Sequence, residues 1–131
     1  MTKAILIIGA DPALLDFSAP GAPPGLSAEK VMSGLNDARD RLERAGYAAR
    51  ILLTRDAETV EAQVSKALKE TTYDIIVVGA GLRTLPPMAE QFERLMNVLH
   101  QEAPQARLAF NSQPDDSDKA ALRWATEAPR A

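Results

Sequence analysis

The side chains best placed for chemistry belong to Gly79-Ala80-Gly81-Leu82-Arg83-Thr84, which follows the apolar run Ile75-Ile76-Val77-Val78. Two glycines at the exit of a buried strand let backbone amides come close to a ligand. An arginine two residues later could grip a carboxylate or a phosphate with its fork of donors. Pro86 and Pro87 suit the first turn of a following helix, whose positive end would add to the attraction, although neither proline can donate an amide hydrogen. The competing reading is that both glycines only turn the chain and that Arg83 is solvated.

Asn111-Ser112 is a second candidate, because both side chains donate and accept hydrogen bonds directly after the run Arg107-Leu108-Ala109-Phe110. A hydrogen bond from strand to loop would explain the pair equally well. Asp11 and Asp16 lie in a long connection from Ala10 to Leu26 that contains Pro12, Pro20, Pro23, Pro24, Gly21 and Gly25. Either aspartate could serve as a base or a Mg²⁺ ligand if the loop folds inward, and either could equally form a turn. Leu14, Leu15 and Phe17 in the same connection fit a lid over the strand ends or a loop that caps the core. Asp115, Asp116 and Asp118 are read as helix-capping groups rather than a hard-metal site. His100, the one histidine, falls at the end of a helical period, away from these segments. No serine stands in a Gly-x-Ser-x-Gly elbow, so a nucleophilic hydrolase is not indicated.

The elements that would position these residues follow from hydrophobic spacing. Strands are expected at Ala4 to Ile8, Ala49 to Leu53, Asp74 to Val78 and Arg107 to Phe110. Ile5-Leu6-Ile7-Ile8 and Ile75-Ile76-Val77-Val78 do not alternate with polar residues, as expected of strands covered on both faces. A first helix from about Ser27 carries the stripe Val31, Leu35, Ala38, Leu42, Ala45 and ends at Gly46. A second, capped by Asp56, aligns Val60, Val64, Ala67 and Leu68. A third starts at Pro86-Pro87 with the stripe Met88, Phe92, Leu95, Met96, Leu99 and stops before Pro104. A fourth follows Asp115-Asp116-Ser117 and is expected to bury Leu122 and Trp124.

Regular alternation of strand and helix implies parallel strands joined by right-handed crossovers. With the two most apolar strands in the centre, the order is 2-1-3-4. The fold class is therefore α/β: a three-layer, doubly wound sheet of four parallel strands with four helices, read as one domain over residues 1–131. In such sheets ligands bind beyond the carboxyl ends of the strands where the winding reverses. Here that point lies between the first and third strands, and the residues nominated around it are Asp11, Gly79, Gly81, Arg83, Thr84, Asn111 and Ser112.

Composition narrows the function classes. The 131 residues are 46% hydrophobic and 25% charged, with net charge -3 and no cysteine. The acidic balance disfavours nucleic-acid backbones and anionic membranes, and the lack of cysteine excludes disulfides and thiolate chemistry. The first apolar run is too short for a signal-peptide core and no segment could span a bilayer, so the cytoplasm is the expected compartment.

The layout is similar to that of response-regulator receiver domains and flavodoxins, and the Gly79 segment to part of a dinucleotide fingerprint. In each case the residues depart from the pattern. Asp11 alone follows the first strand, and Gly79 stands where a receiver's phosphoacceptor aspartate would be. Gly9-Ala10-Asp11-Pro12-Ala13 replaces a flavin-phosphate loop, and Thr84 replaces the third glycine of the fingerprint. The resemblance implies architecture and no activity. The first expectation is thus a domain binding a small anionic molecule at the ends of the first, third and fourth strands, with no cofactor indicated. The alternative is a protein-interaction or oligomerisation module, including a homodimer through an edge strand. An enzyme using Asp11 or Asp16 with Mg²⁺ ranks last, because no acid/base pair stands at a diagnostic spacing.

Overall fold

The computed structural model describes residues 3–18 and 24–125. The part of the long first connection at 19–23 lies outside them. Four parallel strands form one sheet in the order β2-β1-β3-β4: β1 (Ala4–Ala10), β2 (Ala48–Thr54), β3 (Ile75–Val78) and β4 (Arg107–Phe110). Register follows from pairing Ile5 with Ala49 and Ile75, and Ile75 with Arg107. The helices are α1 (Ala28–Arg44), α2 (Val60–Glu70), α3 (Ala80–Thr84), α4 (Ala89–Glu102) and α5 (Ser117–Ala125), with short 3-10 turns at Pro12–Leu14, Pro86–Met88 and Pro114–Asp116.

The central position of β1 and β3 has its cause in their side chains. Ile5, Leu6, Ile7 and Ile8 have no exposed surface, and Ile75 to Val78 are buried almost as fully. Each such side chain stabilises the fold by about 1.5–3 kcal/mol relative to an exposed position, so edge placement would forfeit much of that. Leu6, Ile8, Ile76 and Val78 point to the face covered by Val60 and Val64 of α2 and Leu95 and Leu99 of α4. Ile5, Ile7, Ile75 and Val77 point to the other face, covered by Val31, Leu35 and Leu42 of α1 and Ala120 and Ala121 of α5.

Local signals set several boundaries. Ser27 Oγ accepts the Lys30 amide at 3.2 Å, and α1 ends before Gly46, whose φ of 98° is favourable only without a Cβ. Asp56 Oδ1 accepts both the amide and the hydroxyl of Thr59 at 2.8 Å, which opens the turn into α2. Those bonds, the hydroxyl's first, hold the Asp56 carboxyl below its ordinary range.

Four expectations need correction. Beside the four longer helices expected, Ala80–Thr84 forms a short fifth helix and not a loop. Leu82, 1% exposed, anchors it in the core, the Ala80 amide is held by Asn111 Oδ1, and Thr84 Oγ1 donates back to Ala80 O at 2.8 Å. Leu122 is 38% exposed, since the phase of α5 turns Ser117, Ala120, Ala121 and Ala125 inward. Trp124 is only partly buried, against the α1/α5 core with Arg107 over its ring. Ala45 caps the end of α1 and is exposed, because the helix has ended where its stripe would continue.

Candidate functional site

The carboxyl ends of β1, β3 and β4 open into one crevice. β1 ends at Gly9 and Ala10, and the chain then turns sharply because Asp11 Oδ1 accepts the Ala13 amide at 3.0 Å. The turn carries Leu15, Asp16 and Phe17 across the strand ends. β3 leaves through Gly79, whose amide donates to Ile8 O at 2.8 Å. A Cβ at Gly79 would lie 3.2 Å from that same Ile8 carbonyl, so glycine is what allows β3 to exit this close to β1.

β4 leaves through Asn111, only 3% exposed. Its Oδ1 accepts the Ala80 amide at 2.8 Å, and its Nδ2 donates to Ser117 Oγ at 2.9 Å. This one side chain ties the start of α3 to the start of α5. Beyond it, Asp116 Oδ1 accepts the amides of Ser112 at 3.0 Å and Gln113 at 3.2 Å. Asp116 thereby fixes the turn that forms the last wall.

Between these walls lies a cavity of about 450 Å³, within the roughly 300–1,000 Å³ usual for small-molecule sites. Its floor is Gly9, Ala10, Gly79, Ala80 and Gly81. Leu15, Phe17, Leu26, Val31, Leu35 and Leu85 supply apolar sides, and Asp16, Thr84, Asn111, Ser112 and Gln113 the polar ones. Asp16 is the one ionisable residue among the described lining residues; its Oδ1 accepts from the amide and the hydroxyl of Ser18 at 3.0 and 2.6 Å.

Of the nominated residues, Gly79, Gly81, Thr84, Asn111 and Ser112 meet at this cavity. Two do not line it. Asp11 is occupied in capping its own turn, and its amide donates to Thr54 O at 2.9 Å. Arg83 is turned toward β4. Its Nη2 donates to Asn111 O, its guanidinium lies 5.1 Å over the Phe110 ring, and its Nε is buried with no hydrogen-bond partner among the described residues. Its geometry braces the edge strand. Once Gly79 to Thr84 coil into a helix, Arg83 faces outward from the floor that Ala80 and Gly81 present, which a loop reading could not foresee.

The acidic run divides among three tasks. Asp116 caps the turn, Asp115 O accepts Arg41 Nη2 at 2.6 Å, and Asp118 receives Arg41 Nε at 2.8 Å and Nη2 at 3.0 Å. The hydrogen bond from Arg41 is the largest influence on Asp118 and holds its carboxyl below the ordinary range. Among the described residues no group of three or more His, Asp or Glu side chains could hold a metal ion. His100 is exposed near the end of α4, where the chain turns back toward the start of β4.

Sequence reasoning missed Val31, Leu35 and Pro114 as lining residues. The first two carry a signal, since they open the apolar stripe of α1 and the first turns of that helix sit beside the strand ends. Pro114 carries none, because its position depends on Gly34. A Cβ at Gly34 would lie 3.0 Å from Asp115 N and 3.1 Å from Pro114 Cβ, so the bare helix surface lets the wall seat against α1.

No helix among the described residues is long and apolar enough to cross a membrane. No family model matches the chain, and no curated protein does either. Solved structures do share its fold. One, a fragment from Peptoclostridium difficile 630 described as a "putative lipoprotein", superposes with a TM-score of 0.55 at 13% identity, over 92% of this chain and 93% of its own. At that identity the likeness shows the α/β fold alone.

Proposed function

We propose that this chain is a small-molecule-binding domain whose site is the crevice at the carboxyl ends of β1, β3 and β4. The observation that carries the reading is the cavity of about 450 Å³ at the one place where the winding of the sheet reverses. Its frame is cross-linked: Gly79, Ala80 and Asn111 are joined by hydrogen bonds to β1, to each other and to α5. Binding is favoured over catalysis because no acid/base pair converges on the described lining. The guanidinium contact expected of Arg83 forms no part of the reading, since that group is engaged on β4.

The test is amide-resolved NMR of the ¹⁵N-labelled protein against a small, chemically mixed fragment library. Fragments that bind are expected to move the amide resonances of Gly79, Gly81, Asn111 and Gln113. Shifts confined to other surfaces, such as those of the exposed Phe110 on β4 or Leu122 on α5, would overturn the reading in favour of an interaction module.

A further inference from the structure

Resting on the binding reading above, we infer that the ligand is an uncharged, mostly apolar organic molecule and not a nucleotide or other phosphate ester. Doubly wound sheets hold phosphates at this position with unoccupied backbone amides and cationic side chains. Here three of the amides at the exit of β3 are already committed to the protein. Gly79 N donates to Ile8 O, Ala80 N to Asn111 Oδ1, and Leu82 N to Gly79 O. On the facing wall Ser112 N and Gln113 N both donate to the carboxylate of Asp116.

A phosphate that used these amides would have to break their bonds, and at the facing wall it would have to displace the carboxylate of Asp116. None of the described lining residues is a lysine or an arginine to pair with it. Two cations adjoin lining residues in sequence and both are engaged by backbone carbonyls, Arg83 by Asn111 O and Lys30 by Gly25 O at 2.8 Å. Desolvating an anion without a counter-charge is strongly unfavourable.

The rest of the lining favours the opposite chemistry. Leu15, Phe17, Leu26, Val31, Leu35 and Leu85 surround a glycine and alanine floor, a surface that gains from covering hydrocarbon or an aromatic ring. Ser112 and Gln113, both exposed at the rim, suit one or two neutral hydrogen bonds that would orient such a molecule.

The experiment uses matched probes on the full chain. N-phenyl-1-naphthylamine is uncharged, 8-anilino-1-naphthalenesulfonate carries the same rings with an anionic group, and adenosine monophosphate stands for phosphate esters. Each is titrated by fluorescence or by displacement, and the site is located by the Gly81 and Asn111 amide resonances of the wild type, which requires no variant. The Gly81→Val variant tests occupancy, since a Cβ there would stand 4.0 Å from Leu15 Cδ1 and the branched methyls beyond it would enter the cavity.

The expected result is saturable binding of the amine at the crevice resonances, with the sulfonate and the nucleotide weaker by roughly tenfold or more because their charge is left unpaired. Gly81→Val should weaken the amine by a similar factor while its unfolding stays cooperative. Sulfonate or nucleotide binding at the same resonances as tightly as the amine would overturn the ligand class and leave the binding site standing. If none of the probes moves those resonances, the site and the ligand class fall together. Amine binding that moves other resonances, or that persists unchanged in a folded Gly81→Val protein, also overturns the inference.

Discussion

Replacing Asn111 with alanine should loosen the site and the fold together, because this residue is where the exits of β3 and β4 are joined. The change removes the 2.8 Å bond to the Ala80 amide and the 2.9 Å bond to Ser117 Oγ. The Ala80 amide, partly buried at the start of α3, then lacks its acceptor, which costs up to about 1–3 kcal/mol. Ser117 loses less, since its hydroxyl still donates to Pro114 O at 3.0 Å; losing one ordinary bond there costs about 0.5–1.5 kcal/mol. The two together predict destabilisation of about 1.5–4.5 kcal/mol. At this chain length each kcal/mol lowers the melting temperature by about 3–5 °C.

Urea unfolding followed by far-ultraviolet circular dichroism measures the first quantity, and hydrogen exchange at Ala80 shows where the loss is located. A loss below about 0.5 kcal/mol in Asn111→Ala, within the range of ordinary surface substitutions, would refute the reasoning. So would unchanged protection of the Ala80 amide in that variant.

Three further outcomes follow from other contacts. Gly34→Ala, which would gain about 1 kcal/mol in an unencumbered helix, should instead lower stability by about 1 kcal/mol, because its Cβ crowds Asp115 N and Pro114 Cβ at 3.0–3.1 Å and overpacking costs about 1–3 kcal/mol; thermal unfolding of the pair decides the sign. Arg41→Met removes the partner that depresses Asp118. Since a lowered folded pKa stabilises above the unfolded value near ~3.9 and is lost as pH falls through the folded one, the stability gap between wild type and variant should be widest near neutrality and close below about pH 4 in urea titrations at stepped pH. Arg123→Ala frees the Phe110 carbonyl, which Arg123 Nη2 now occupies at 2.9 Å on the edge strand; sedimentation velocity should show more self-association than in the wild type, because an uncovered strand edge pairs with other chains.

Much of the architecture was legible because it depends on neighbours in sequence. Unbroken apolar runs at Ile5 to Ile8 and Ile75 to Val78 require cover on both faces, which puts β1 and β3 in the centre, and β2-β1-β3-β4 is the simplest order that does so. Ser27 and Gly46 mark helix boundaries through their own local bond and dihedral, and Asp56 holds the turn before α2, whose N-cap is Thr59. With the strand order known, the winding rule locates the crevice, and Gly79, Gly81, Thr84, Asn111 and Ser112 do meet there.

What only the tertiary structure decided rests on pairs distant in sequence. Ala80 to Thr84 coil into a helix because Leu82 finds the core and Asn111, 31 positions away, takes the Ala80 amide; that coiling turns Arg83 from the crevice onto Phe110. Gln91 is buried on α4, against the polarity of its side chain, because the Thr54 hydroxyl at the end of β2 meets it there. The small face of α5, Ala120 and Ala121, goes inward in place of Leu122 while Arg41, 77 positions away, holds Asp118 on the same helix. Hydrophobic period records which side of an element is buried, but not what meets it. The chemistry of this crevice, apolar and without a cation on its described lining, was set by those meetings.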